Sequence, residues 1–527
     1  MRTRLGMVIL VALMGMTVCQ QPGVLAEEVT ADQGQSAEQP GARHAKEAVA
    51  LAVASRSLRS ELVEGGIILD SELASEEVGA TAGRDSGDPT AAPTSKPSKM
   101  DSIYEPFVSL LDTSTDYWPE NWLTGDWGGL RRDLVDSGII FEAAVTQIIQ
   151  GNAHGGKDTS SAFRYSGSVD YYLNFDTGRM NLWPGGVFII HGETSFSQAL
   201  NSKVGSLSPP NTDALFPVPG EESATTLSEA FFVQALSKQL FVVAGKADPT
   251  RLMDTNVFAN SEKTQFLNLG LRNNPTLLPF APYTTMAGAV IVVPTDWLMV
   301  INAVADTNGS ANHTGFETAF HSPEGATLAQ EYDITIKPFG LTGHQRFGFA
   351  YSTKDRLTFG SDRRIGLPGT LRRRTILRGH PLLRLLRLSR GLGLDQRPDD
   401  WVLFYNFDQY LYTEKEDPSQ GIGIFGRFGW STGKANPTEA FYSIGISGKG
   451  VIPTRDKDTF GLGYYYQDLS DRLVRFDLHS EQGIELYYNI EVTPWLHITP
   501  DLQVIINPGG GDNDVAIVYG MRAQMSF

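Results

Sequence analysis

The side chains that could do chemistry in this chain sit one residue apart from apolar neighbours. Arg164 and Asp170 alternate with Phe163, Tyr165, Val169, Tyr171 and Leu173. Glu331 and Asp333 flank Tyr332, Arg346 precedes Phe347, and Glu485 and Tyr487 alternate with Ile484, Leu486 and Tyr488. Arg522 and Gln524 alternate with Met521, Ala523 and Met525, and Glu142, Tyr172, His191, Glu193, Glu229, Lys246, Asp408, Arg427 and Tyr465 join the same set. Both signs of charge are present. His191, His380 and His497 are isolated, and neither His-Glu-x-x-His nor Gly-x-Ser-x-Gly occurs. Gly461-x-Gly463 falls inside an alternating run, so it is not read as a phosphate loop. The chemistry on offer is a wet wall of hydrogen-bonding groups and ion pairs. No catalytic residue, cofactor or metal is expected, and the chain is not read as an enzyme.

Positioning such a set takes strands, because a period of two puts polar and apolar side chains on opposite faces. Strands are expected near 139–150, 163–176, 186–196, 226–236, 239–247, 286–294, 297–306, 329–338, 344–354, 400–412, 421–430, 439–450, 459–469, 482–493, 496–506 and 514–527. Alternation is blurred in 226–236, 286–294 and 297–306. The total is about sixteen, an even number. Connections sort by parity: Ser237-Lys238, Pro294-Thr295-Asp296 and Thr493-Pro494 are tight, whereas 197–225, 248–285, 306–328 and 354–399 are long. Trp183, Trp297 and Trp495 fall beside the tight turns, and Trp401 and Trp430 near the other strand ends, as two membrane interfaces require. No stretch of about 20 apolar residues occurs, so a chain in a membrane must cross it with strands. The expected fold is all-β: a transmembrane antiparallel barrel of about sixteen strands over 139–527. Its last strand, Val515 to Phe527, turns Ile517, Tyr519, Met521 and Phe527 to lipid, and the terminal Phe527 is read as an assembly signal.

Residues 1–26 read as a secretory signal: Arg2 and Arg4, an apolar run from Leu5 to Val18, and Val24-Leu25-Ala26 before Glu27. The only cysteine, Cys19, lies within it, leaving no disulfide framework or thiolate metal site. A net charge of −17 argues against nucleic acid as a partner. Residues 27–116 read as a tail or linker in the periplasm, with a possible short helix over 45–64. Residues 117–138 form a helical motif before the barrel, in which Thr124 or Asp126 caps, Leu130 and Leu134 share a face, and Gly138 terminates.

The run from Trp122 through Gly138 to Gly151-Asn152-Ala153-His154-Gly155-Gly156 resembles the start of the OprB-like carbohydrate-selective porin family. Ala244-Gly245-Lys246-Ala247-Asp248, Gln265-Phe266-Leu267-Asn268, Val492-Thr493-Pro494-Trp495-Leu496 and Ile506-Asn507-Pro508-Gly509-Gly510 agree with it in order, from about Trp118 to Phe527. The resemblance implies an outer-membrane pore for passive diffusion of carbohydrates, narrowed by inward-folded loops. Asp248 to Thr285 is the candidate for narrowing, and adds Asp248, Arg251 and Asn268 to the pore-lining set. Sugars as solutes, outer-membrane lipid and lipopolysaccharide are the expected partners, with a monomer or a homotrimer both open. Segment 363–397 carries ten arginines among leucines. It either lies outside the cell or folds into the mouth, where it would favour anions. A general or anion-favouring porin is therefore an alternative, and a barrel lipid hydrolase or structural anchor is the alternative from another class.

Overall fold

Sixteen alternating segments solve their backbone hydrogen bonding by closing on themselves, which leaves no unpaired sheet edge for lipid to meet. The computed structural model describes residues 119–218, 223–319, 325–354, 356–358, 396–397, 399–415 and 417–527. Its strands are β1 (Ile139–His154), β2 (Phe163–Asp176), β3 (Gly186–Ser197), β4 (Ser223–Ser237), β5 (Leu240–Ala247), β6 (Thr285–Thr295), β7 (Leu298–Asp306), β8 (Ala326–Ile336) and β9 (Gly343–Ser352). A two-residue pair follows, β10 (Arg356–Leu357) with β11 (Gln396–Arg397). Then come β12 (Asp400–Thr413), β13 (Gly421–Ser431), β14 (Thr438–Lys449), β15 (Thr459–Leu469), β16 (Ser480–Thr493), β17 (Leu496–Ile506) and β18 (Ala516–Ser526). Each barrel strand pairs antiparallel with its neighbours in sequence, and β18 closes on β1 with Val145 opposite Met525 and Ile149 opposite Met521. The fold class is as expected, and every expected strand is present within a few residues. The signal, the tail helix over 45–64 and nearly all of the arginine-rich segment lie outside the described residues.

Connections differ between the two rims. One rim carries two-residue turns at 238–239, 296–297 and 494–495; the other carries 198–222, 248–284, 307–325 and 353–399. Outward faces are apolar and exposed, as at Phe141, Ile149, Leu328, Phe347, Leu486, Leu502 and Met521. Trp401 and Trp430 meet edge to face at 5.2 Å on the long-loop side, and Trp183 and Trp297 are exposed by the short turns.

Before β1, a short helix α1 (Leu130–Asp136) ends at Gly138, whose φ of +84° suits glycine and where a Cβ would stand 2.7 Å from the carbonyl oxygen of Asp176. The expected cap differs. Gly129, left-handed at φ 100°, is the residue before the helix, while the Asp126 carboxylate accepts from the Arg132 N–H at 3.2 Å further in. The face that α1 buries belongs to Arg131 and Val135, and Leu130 is exposed. Arg131 lies between the rings of Trp122 and Trp127, 4.3 and 4.7 Å from their centroids, and donates to the main-chain oxygen of Phe527 at 2.5 Å. Leu123 N–H donates to Ser526, so the segment before the barrel clasps the end of the closing strand.

Candidate functional site

Loop 248–284 enters the barrel and is held there by the wall. It begins at Ala247, where Asp248 accepts from the backbone N–H and hydroxyl of Thr250 and so caps the turn Pro249–Arg251. A second turn, Leu269–Arg272, is capped by Asn268, whose side chain accepts from Gly270 N–H. Residues from Met253 to Thr276 are buried apart from Thr255 and Val257, which are half-buried. A buried polar loop needs a partner for each backbone group, and the wall supplies many. Glu485 accepts from Leu267 and Asn268 N–H at 2.5 and 2.8 Å. Glu331 accepts from Asp254 N–H at 2.8 Å. Arg427 donates to the carbonyls of Leu271 and Ala259 and pairs with the Asp254 carboxylate at 3.2 Å. Arg522 donates to the carbonyls of Glu262 and Gln265, both at 2.9 Å.

Ion pairs complete the clamp. Arg251 forks onto Glu229, and Arg272 pairs with Glu262 at 2.7 Å. Arg346 bridges Asp333 and Asp408 at 2.8 and 2.5 Å. Lys263, at the loop's tip, reaches Asp170 at 2.9 Å and Asp213 at 2.5 Å; Asp213 belongs to the preceding long loop, 198–222. Residues 207–213 of this segment are thus fixed beneath the same clamp, with Thr212 N–H donating to Leu267 and Glu481 accepting from Leu207 and Ser208 N–H.

Asp170, His191 and Glu193 converge closely enough to suggest a metal ion. The donors do not fit one. His191 spends one ring nitrogen on Glu229 at 2.9 Å and the other on Asp170 at 3.0 Å, while Lys263 already brings a cation to Asp170. Tyr172 stacks on the ring of His191 at 4.1 Å, and Tyr283 donates to Glu193 at 2.6 Å.

Most of the expected pore-lining set therefore faces inward but lies under the loop. Asp170, Tyr172, His191, Glu193, Glu229, Asp248, Arg251, Asn268, Glu331, Asp333, Arg346, Asp408, Arg427, Tyr465, Glu485, Tyr487 and Arg522 are buried, and Glu142 is buried on the inward face of β1. Two members sit elsewhere. Arg164 stays at the long-loop rim and donates to the carbonyls of Ser161 and Phe163. Lys246 pairs across the sheet with Ala230, opposite Ile190, in a row that continues through Leu173 to the exposed Phe141. That is the outward face. Its ammonium is wrapped by the carbonyls of Leu227, Ala311 and His313, so residues 311–313 lap over the outer wall there.

Sequence reasoning did not find the apolar side of the interior. Val187, Ile189, Phe231, Val233, Phe241, Val243, Ile291 and Ile301 pack together with Leu252 and Met253 of the loop. The blurred alternation of 226–236, 286–294 and 297–306 is its signal: these strands are apolar on both faces because one meets lipid and the other meets the packed loop. Glu481 and Asp213 were also missed; Glu481 shares the alternate positions of β16 with Glu485 and was legible there.

A family model, Carbohydrate-selective porin, OprB family, matches residues 160–527. The chain belongs to this family. The matched OprB region runs from just before β2 to the C-terminus, so the pre-barrel clasp and all of β1 precede it. Porin B of Pseudomonas aeruginosa is 25% identical over 442 residues, covering 77% of this chain and 91% of its own. The putative porin QuiX of Acinetobacter baylyi is 22% identical over 481 residues, covering 80% and 96%. The high-pH structure of Pseudomonas putida OprB superposes with a TM-score of 0.66 at 22% identity, covering 79% of this chain and 100% of that one, and shows the same fold.

Proposed function

We propose that this OprB-family porin passes carbohydrates by passive diffusion across the outer membrane, through a lumen narrowed by loops 198–222 and 248–284. The observation that carries the reading is the pairing of the interior cations with carboxylates. Arg251, Lys263, Arg272, Arg346 and Arg427 each meet a carboxylate, so none of these five cations stands alone in the narrowed region. Such a surface offers hydroxyl-rich solutes both donors and acceptors and gives anions no unpaired cluster of cations to enter on. The short-turn rim and the N-terminal tail face the periplasm, and the long loops face outward toward lipopolysaccharide, in keeping with the bacterial pattern of short inner turns. The expected lining residues act chiefly by holding the constriction in shape. Monomer and homotrimer are both compatible with the closed wall.

The test is conductance of the purified protein in planar bilayers. A current blocked by sugars, saturating with concentration, supports the reading. Open, unblocked, anion-selective current supports a general anion-favouring porin, and absence of conductance overturns both.

A further inference from the structure

On the short-turn rim, β14 and β15 are joined by residues 450–458, which fold against the outer wall instead of turning within two residues. Asp458 accepts from the Tyr488 hydroxyl at 2.8 Å and from Glu491 N–H at 2.9 Å. Arg455 donates to Asp458 and to the carbonyl of Glu491. The connection is thereby stapled to β16, with Val451 and Ile452 exposed. Beside it the ladder between β16 and β17 is interrupted. Tyr487 pairs with Asp501, and pairing resumes only at Ile490 with Ile498; Pro500, which has no N–H to give, lies at the gap. Between staple and gap runs a groove of about 530 Å³, lined by Val451, Ile452, Phe460, Leu486, Pro500 and Leu502. That is the volume of a small-molecule site, about 300–1,000 Å³. Leu486 and Leu502 are exposed residues of the outward face, so the groove opens to hydrocarbon and not to the lumen.

We propose that this groove holds one acyl chain of a zwitterionic phospholipid of the inner leaflet. The inference rests on the short-turn rim facing the periplasm, and on nothing about the solute. An apolar groove within the lipid-facing wall selects a hydrocarbon chain, because a water-soluble ligand would have to leave water to enter it. The connection selects the headgroup. Asp458 is buried and spent within the staple, whereas Asp456 and Lys457 are exposed and the Arg455 side chain is 38% exposed. Two cations and one anion at the mouth match a phosphate with an ammonium beside it. A purely anionic headgroup would meet the same cations but oppose Asp456. The staple fixes these charges beside the groove before lipid arrives, so little ordering is left for binding to supply.

The experiment is native mass spectrometry of the purified channel in detergent, titrated with palmitoyl-oleoyl phosphatidylethanolamine or with phosphatidylglycerol carrying the same chains. One phosphatidylethanolamine per channel should bind, and more tightly than phosphatidylglycerol. Ile452→Ser removes one lining side chain at an exposed turn position and should weaken that binding about tenfold. Lys457→Ala leaves the groove intact and should weaken it about fivefold. Ionic current in planar bilayers certifies each variant as an assembled channel. Absence of bound lipid, equal binding by wild type and both variants, tighter binding of phosphatidylglycerol, or a second copy of the chain in place of lipid would overturn the site. Sugar block in the same recordings tests the carbohydrate reading separately, so the two can fail independently.

Discussion

Glu485→Ala removes the acceptor of two buried backbone N–H groups, those of Leu267 and Asn268, at the point where the third loop crosses the lumen. Leaving a buried N–H without an acceptor costs about 1–3 kcal/mol, so the local loss from two is about 2–6 kcal/mol. The loop stays inside, because Arg427, Arg522 and Glu331 still hold it on other strands, but the segment around Leu267 opens more often. At 1.4 kcal/mol per tenfold, amide hydrogen exchange at Leu267 and Asn268 should accelerate by about one to four orders of magnitude. Exchange in the facing strands β16 and β17 should change little. Glu485→Gln keeps one acceptor oxygen and should show about half the effect in free energy. The same loosening should raise single-channel current noise. Unchanged protection at Leu267 and Asn268 in the alanine variant would refute the claim that this carboxylate holds the constriction.

Lys263→Met strands the buried carboxylates of Asp170 and Asp213, which should cost about 3–5 kcal/mol; a lower temperature of heat-induced barrel unfolding and a reversal potential shifted toward cations check this. Arg131→Ala removes a cation held between two tryptophans and bonded to the last residue, and should cost about 2–4 kcal/mol of barrel stability. Electrophoretic unfolding temperature should fall while the conductance of inserted channels persists. Asp158, in the loop joining β1 to β2, is held below its ordinary value of 3.8 by the hydrogen bond from Lys203 on loop 198–222, at 2.5 Å. The depressed folded value means that the tether is complete above about pH 4 and is lost as pH falls through the folded value. Current flicker should therefore be constant from neutral pH to about pH 5 and rise only in stronger acid, and Asp158→Asn should show that flicker already at pH 7.

Much of the barrel was legible because lipid imposes a period of two on every strand, and one-residue errors would flip whole faces. The final strand is the clearest case: Met521 and Tyr519 face out, and Arg522 and Gln524 face in, as alternation demands. The strands apolar on both faces were the hard ones, since alternation carries no information where the interior is itself a packed core. Lys246 shows the opposite failure. Gly245 adopts φ +140° where it passes Phe231, and the polar residue that follows points outward beneath a loop. No local pattern announces a loop that covers the outer wall. Side-chain types at the site were readable, but their role was not. Glu485 and Arg427 look like channel lining in a list of polar residues, and only the path of loop 248–284 makes them anchors for backbone groups.

The measurement that tests the account most directly is the concentration dependence of sugar block on single channels of the purified protein. A current that falls saturably with added glucose or maltose and shows no preference for anions is expected, because the cations of the constriction are paired with carboxylates. A current that ignores sugars at every concentration, or that is strongly selective for anions, would contradict it.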